Sequence, residues 1–166
     1  MNINGYTLKS VKNFMGREGY GFSANLYHNG KRIGEVTDTA NGSGEIDIYL
    51  DMDCRDQHKN VDTDFLERLY LLHGQEKSFK AKTKSGLDKA LICVAFSEPT
   101  TDWNYYLEYT GSKSMTEDAF IAWYNKNGVG GTIEKIDIFT SLDDFNIQDT
   151  AESENLSPQE NGMTMS

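Results

Sequence analysis

Carboxylates form the densest group of side chains in this sequence that could carry chemistry. Asp47, Asp51, Asp53 and Asp56 lie close together and are followed by His58. A hard cation needs several oxygen ligands that converge on one point, and these spacings do not match the D-x-[DN]-x-[DN]-G pattern of a calcium loop. We therefore interpret the group as an acidic, solvent-facing edge, with metal binding as the alternative.

A second group consists of closely spaced aromatic residues. Trp103, Tyr105, Tyr106 and Tyr109 are typical of a binding hot spot if they lie on a loop or edge strand. They could equally pack beneath a sheet or stack on single-stranded bases, although the net negative charge disfavours the last reading. We predict a partner-binding surface from both groups, composed of Asp47, Asp51, Asp53, Trp103, Tyr105, Tyr106 and Tyr109.

No local motif indicates catalysis. His28, His58 and His73 are scattered, and no G-x-S-x-G pattern accompanies them, although a Ser-His-Asp or Cys-His pair can form only in the fold. The glycine-rich stretch 16–21 lacks both the G-x-G-x-x-G spacing and the GK[ST] ending of phosphate-binding loops, which favours a turn. We predict no catalytic residue, no cofactor and no metal.

Charge and cysteine content narrow the class of protein. The chain has 166 residues with 16 Lys+Arg against 26 Asp+Glu, a net charge of −10. Direct binding to a nucleic-acid backbone is disfavoured because phosphate contacts need a basic patch. Cys54 and Cys93 fit no metal or redox spacing, and no apolar run approaches the length of a membrane span. These observations predict a reduced, cytoplasmic protein that does not bind membranes.

The N-terminal third predicts a β-meander. Phe22, Ala24 and Leu26 alternate with polar residues, which places the apolar set on one face of a strand. Asn29-Gly30 is typical of a type I′ turn, and the return strand contains Gly34, which indicates a bulge. A third strand follows the break at 41–44, a leading strand is expected near Tyr6, and 16–21 is predicted to be a turn.

The rest of the chain predicts two or three helices and two further strands. Asp62 is a helix cap, and Gly74 would end that helix. A buried strand is expected over 91–96, and Ser114 with Glu117 matches a capping box for a helix that stops near Gly128. A last strand is predicted over 132–140 and a helical turn over 141–147. The lysine-rich stretch 76–89 is compatible with a short second helix.

These elements predict one α+β domain over 1–148, in which an antiparallel sheet of about four to six strands packs with the helices. Residues 149–166 are polar and without periodicity, and we predict a disordered tail there.

The glycine-rich hairpin resembles a group of small proteins encoded by phages and mobile elements. The shared pattern is G-x-E-G-x-G-F-x-A-x-L-Y-x-[DN]-G-K, which runs here from Gly16 to Lys31. Asn29 stands where the group usually has Asp, and Arg32 replaces a second lysine, both compatible with the turn. The resemblance covers about residues 9–45. It implies a phage or mobile-element origin and brings no catalytic residues with it.

An acidic protein of this origin without an active-site motif is expected to be an inhibitor. Given that origin, we expect it to occupy the surface of a basic, nucleic-acid-handling host protein in the bacterial cytoplasm, in the manner of an anti-defence or anti-CRISPR protein. Its negative charge would steer the encounter. The alternatives are a nucleotide-binding sponge or small enzyme with a pocket, and an interaction module that uses an exposed aromatic patch.

Overall fold

The computed structural model describes residues 1–83 and 88–149, and these form two compact units. The first unit contains residues 1–70 together with 146–149, and the second contains 71–83 with 88–145. The described residues form nine strands and two α-helices, which confirms the α+β class. The predicted tail, 149–166, lies outside the described residues except for Asp149, which is hydrogen-bonded to Asn4 and Arg68.

Nine strands and two α-helices follow one another along the described part of the chain. They are β1 (Asn2–Ile3), β2 (Tyr6–Gly16), β3 (Gly19–His28), β4 (Lys31–Asp38), β5 (Asp47–Leu50), α1 (Thr63–Thr83), β6 (Lys89–Glu98), β7 (Tyr106–Ser112), α2 (Glu117–Asn127), β8 (Thr132–Phe139) and β9 (Asn146–Ile147). Short 3₁₀ helices occupy Arg55–Gln57 and Leu142–Phe145.

The first unit is built on a six-stranded sheet in the order β5-β4-β3-β2-β1-β9. Strands β2 to β5 form the predicted antiparallel meander, whereas β1 and β9 are parallel. Asn29 and Gly30 have φ of 50° and 83°, which confirms the type I′ turn between β3 and β4. The predicted turn over 16–21 is wrong in extent: the strands continue to Gly16 and resume at Gly19, leaving a two-residue connection.

Two register shifts shape this sheet. One lies on β4 at Ile33, beside the predicted bulge at Gly34, where an added Cβ would collide with the backbone oxygen of Tyr49 on β5. The other lies on β2 between Lys9 and Lys12, and there Ser10 has φ of 55°. Such bulges bend a strand and redirect its side chains.

Helix α1 begins as predicted and ends later. The Asp62 side chain accepts a hydrogen bond from Phe65 N at 2.9 Å, which confirms the cap. Gly74 does not end the helix; the helix continues to Thr83, because the buried residues Gln75 and Phe79 give its second half partners of its own. The first half packs on the sheet of the first unit, where Tyr70 stacks on Phe22 with ring centroids 3.9 Å apart.

The second unit contains a separate three-stranded sheet in the order β7-β6-β8. The described strands therefore form two sheets, not the one sheet that the sequence predicts. The central strand β6 is buried from Ala90 to Val94, as its continuous apolar run predicts. One face of this sheet packs against α2 through Phe120 and Tyr124, and the other face meets the second half of α1.

Helix α2 begins at a residue that the sequence analysis did not select. Thr116, not Ser114, is the cap, and its hydroxyl accepts a hydrogen bond from Ala119 N at 3.1 Å. The predicted capping box is wrong because the hydroxyl of Ser114 pairs with that of Ser112 at 2.9 Å. Gly128 follows the last helical residue, as predicted.

Candidate functional site

The predicted acidic residues lie at one edge of the first unit's sheet. Strand β5 is the terminal strand, and on it Asp47 lies opposite Thr37 while Tyr49 lies opposite Glu35. Because alternate residues of a strand share a face, Asp47 and Tyr49 point to the same side, away from the buried core. We call Asp47, Tyr49, Asp51, Met52 and Asp53 the acidic edge.

Two of the three carboxylates have ion-pair partners on the neighbouring strand. Arg32 Nη1 lies 3.6 Å from Asp51 Oδ1, and Lys31 Nζ lies 3.9 Å from Asp53 Oδ2. All four side chains remain substantially exposed to solvent, so these pairs contribute little stability and can exchange for pairs with a partner.

Two large apolar side chains accompany the carboxylates. Tyr49 is 63% exposed and Met52 is 85% exposed. Tyrosine and methionine are enriched at the centres of protein interfaces, and charged residues typically surround such centres. The sequence analysis did not assign Tyr49 or Met52 to a site. The acidic edge thus combines exposed carboxylates with exposed large apolar side chains.

The four predicted aromatic residues belong to the second unit and occupy three different environments. Trp103 and Tyr105 lie on the connection between β6 and β7 and are 78% and 56% exposed. Trp103 has φ of 64°, an uncommon conformation for a bulky residue. Tyr109 packs against Phe120 with ring centroids 5.5 Å apart. Tyr106 points to the opposite face of the sheet, so the four residues do not form one patch.

Tyr106 belongs to a polar network beneath α1. Its hydroxyl donates to Glu108 Oε2 at 2.6 Å and accepts from Gln75 Nε2 at 3.2 Å, while Lys82 Nζ lies 3.1 Å from Glu108 Oε1. Burial acts to raise the pKa of Glu108, but hydrogen bonds from Tyr106, Ser78 and Lys82 outweigh it and hold the pKa below its usual value. The network is satisfied internally, which favours a structural role.

Sequence reasoning missed a cluster of Tyr6, His28 and His58 in the first unit. The Tyr6 hydroxyl lies 2.6 Å from His58 Nδ1, and the His28 ring lies 4.2 Å from that of Tyr6. Burial lowers the pKa of His58, and His28 and Lys31 lower it further. Burial raises the pKa of Tyr6, an effect that a hydrogen bond with Asn60 opposes. A neutral histidine and a neutral phenol are suited to anchoring the segment after β5.

The pairing register of the β2–β3 hairpin was the one feature from which the contact between Tyr6 and His28 could have been predicted. Tyr6 pairs with His28 across β2 and β3, but the bulge after Lys9 shifts that register and hides the pairing from simple counting. His58 reaches the pair through an irregular segment, for which no periodicity exists.

Neither cysteine has the character of a nucleophile. Both are free and buried, and burial raises the pKa of Cys93 to about 12. Burial also raises the pKa of Cys54, with a further contribution from the adjacent Asp53. A thiol reacts as its thiolate, so these groups are inert near neutral pH.

Residues 1–83 and 88–149 contain no group of three or more His, Cys, Asp or Glu side chains that could hold a metal ion. Within the same ranges, no helix is long and apolar enough to cross a membrane. Comparison of the chain with protein-family models, curated proteins and solved structures gave no match.

Proposed function

We propose that this chain is a binding protein that uses the acidic edge to occupy the surface of a basic protein. The observation that carries the proposal is the combination of three exposed carboxylates with Tyr49 and Met52 on the edge strand β5 and the three residues that follow it. The exposed apolar side chains would be buried in the complex, and the carboxylates would meet basic side chains of the partner.

Charge supports the choice of a basic partner. The whole chain carries a net charge of −10, so its long-range field attracts a basic protein before contact. Arg32 and Lys31, which pair with Asp51 and Asp53, belong to the neighbouring strand β4. Asp47 adds a third carboxylate to the acidic edge. Attraction of this kind raises the association rate and weakens as salt is added.

The class of partner follows from the hairpin resemblance together with this charge. A basic surface that normally holds nucleic acid is complementary to a row of carboxylates, so a nucleic-acid-handling effector of a bacterial defence system is the proposed target. The chain would act in the cytoplasm of the bacterial host as an inhibitor, without binding nucleic acid or membranes itself.

The test compares three versions of the full chain as baits in bacterial lysate at low and high salt. They are the unmodified chain, an acidic-edge variant (Asp47→Asn, Asp51→Asn, Asp53→Asn) and a control variant (Asp88→Asn, Asp102→Asn, Glu134→Gln). The control removes the same charge from exposed positions of the second unit. Each captured protein is then purified, and its Kd for all three baits is measured by calorimetry.

We expect one basic protein to be retained at low salt by the unmodified and control baits. Its Kd for the acidic-edge variant should be weaker by about tenfold or more, which corresponds to about 1.4 kcal/mol. Equal weakening by both variants would mean that binding depends on the net charge of the chain and not on the acidic edge, which would contradict the proposal. Retention that is independent of salt, or no retained protein, would contradict the proposal.

A further inference from the structure

A polar concavity lies on the solvent-facing side of the first unit's sheet, next to the acidic edge, because its residues Glu35 and Thr37 lie opposite Tyr49 and Asp47. It has a volume of about 260 Å³. We call it the polar site, and its polar lining consists of Ser10, Lys12, Ser23, Asn25, Glu35 and Thr37. We propose that the polar site binds a neutral, polyhydroxylated ligand of the size of one sugar ring.

Strand register brings these side chains together. Ser23 on β3 lies opposite Lys12 on β2 and opposite Thr37 on β4, which makes one row across three strands. In the next row, Asn25 lies opposite Glu35. Residues two apart on a strand share a face, so the two rows form one continuous polar surface.

The bulge on β2 contributes residues to the lining of this site. The register shifts between Lys9 and Lys12, and the inserted residue Ser10 adopts φ of 55°, which is uncommon outside glycine. Bulges bend a strand locally and are frequent beside functional sites, where they redirect a side chain. Here the bulged residue Ser10 lines the polar site.

The polar groups of the site are available to a ligand. In the described part of the chain, no side-chain hydrogen bond joins Lys12, Ser23, Asn25 or Thr37 to another residue. Glu35 has one partner, Arg32 Nη2, at 3.1 Å. Several convergent polar groups with unused hydrogen-bonding capacity are what a small polar ligand requires.

Donors, acceptors and charge together favour a neutral polyol. Lys12 supplies donors, Glu35 supplies acceptors, and Asn25 and the three hydroxyl side chains supply both. The positive charges of Lys12 and Arg32 are balanced by the negative charges of Glu35, which pairs with Arg32, and of Asp47, which lies opposite Thr37, so the surroundings of the site offer no excess positive charge to a phosphate or another anion. Sugar hydroxyls each donate and accept, so they match this mixed set better than a purely anionic ligand does.

Size and an adjacent aromatic ring agree with this assignment. The volume of about 260 Å³ is below the range of about 300–1,000 Å³ of pockets that hold drug-sized ligands, as expected for a single ring. Tyr49 lies opposite Glu35 on the same face and is largely exposed. Its ring offers an apolar surface at the border of the site.

The test is an NMR titration of the full ¹⁵N-labelled chain. The probes are neutral methyl glycosides of the common hexoses, pentoses, deoxyhexoses and N-acetylhexosamines, with inorganic phosphate and AMP as anionic probes. Concentrations reach the tens of millimolar, well above a Kd of about 1 mM, so weak sites are occupied. Variants are Asn25→Ala and Lys12→Gln, and Asn104→Ala, an exposed asparagine of the second unit, is the control.

We expect at least one glycoside to shift the resonances of 10–12, 23–25 and 35–37. Asn25→Ala should weaken that binding at least about tenfold with an otherwise unchanged spectrum, while Asn104→Ala should have no effect. Lys12→Gln should weaken it by only about threefold or less, because an amide still donates to a hydroxyl.

Three outcomes would overturn the proposal. They are shifts only with phosphate or AMP, shifts centred elsewhere on the chain, and no shift with any glycoside. The outcome is independent of the proposed protein partner, since the variants leave Asp47, Asp51 and Asp53 in place.

Discussion

At the scale of single residues, titratable side chains in each unit are held in protonation states that link stability to pH. Glu108 keeps its charge in a half-buried network because Tyr106 and Lys82 stabilise the carboxylate. His58 stays neutral because it is buried beside His28 and Lys31. Both effects make the folded chain less stable in acid, but over different pH ranges.

Glu108→Gln is expected to reduce the loss of stability in strong acid. The pKa of Glu108 is lower in the folded chain than in the unfolded chain, so its contribution is present above the unfolded pKa and is lost as pH falls through the folded one. Urea unfolding of both proteins between about pH 5 and pH 3, where carboxylates titrate, measures the difference. Identical pH slopes would show that Glu108 is not stabilised as a carboxylate.

His58→Asn is expected to act at a higher pH. The pKa of His58 is depressed by folding, so the unfolded chain binds a proton first and stability falls as pH drops below about 6.5. Asparagine keeps a polar group near Nδ1 for the Tyr6 hydroxyl but does not titrate. The free energy of unfolding of the variant should therefore change less than that of the unmodified chain between pH 7.5 and 5.5. A larger change in the variant would contradict this account.

At the scale of elements, local sequence predicted a boundary correctly where no contact with another part of the chain overrides the local signal. Asp62 and the Asn29-Gly30 turn act through bonds and dihedral angles within a few residues, so their patterns were sufficient. Gly74 has the pattern of a helix end, but tertiary packing of Gln75 and Phe79 extends α1 past it. Likewise, Ser114 does not cap α2, because its hydroxyl pairs with that of Ser112.

Gly74→Ala should stabilise the chain by about 0.5–1 kcal/mol, because glycine is unfavourable inside a helix. A Cβ at this position would meet no atom within 4 Å. Gly128→Ala is the contrasting variant, since its Cβ would lie 2.6 Å from the Tyr124 ring, and it should destabilise. Thermal unfolding of both variants measures the two effects. Destabilisation by Gly74→Ala would mean that the helix ends there after all.

Thr116→Ala should destabilise the chain by about 1 kcal/mol through loss of the α2 cap. Ser114→Ala should cost less, because its hydroxyl bonds only to the exposed Ser112. Denaturant unfolding of the two variants ranks the two residues directly. A larger cost for Ser114→Ala would restore the capping box that the sequence suggested.

At the scale of the whole molecule, the spacing of apolar residues was sufficient to predict the α+β class. Apolar residues alternate with polar ones in a strand and recur every three or four residues in a helix, because each element buries one of its faces. The division of the strands into two sheets was not predictable, since strand order depends on long-range pairing that leaves no periodic signal. For the same reason, the sequence did not reveal that the seven residues of the predicted binding surface belong to two units. Asp47, Asp51 and Asp53 belong to the first unit, and the four aromatic residues belong to the second. The prediction of a single domain stays a prediction.

The central claim is that the acidic edge is the surface that meets the partner. Hydrogen–deuterium exchange of the full chain, alone and with the basic protein retained at low salt, tests it most directly. We expect protection of backbone amides on complex formation over residues 45–53, with little change over 101–109. Protection over 101–109 with unchanged exchange over 45–53 would contradict the claim and move the binding surface to Trp103 and Tyr105.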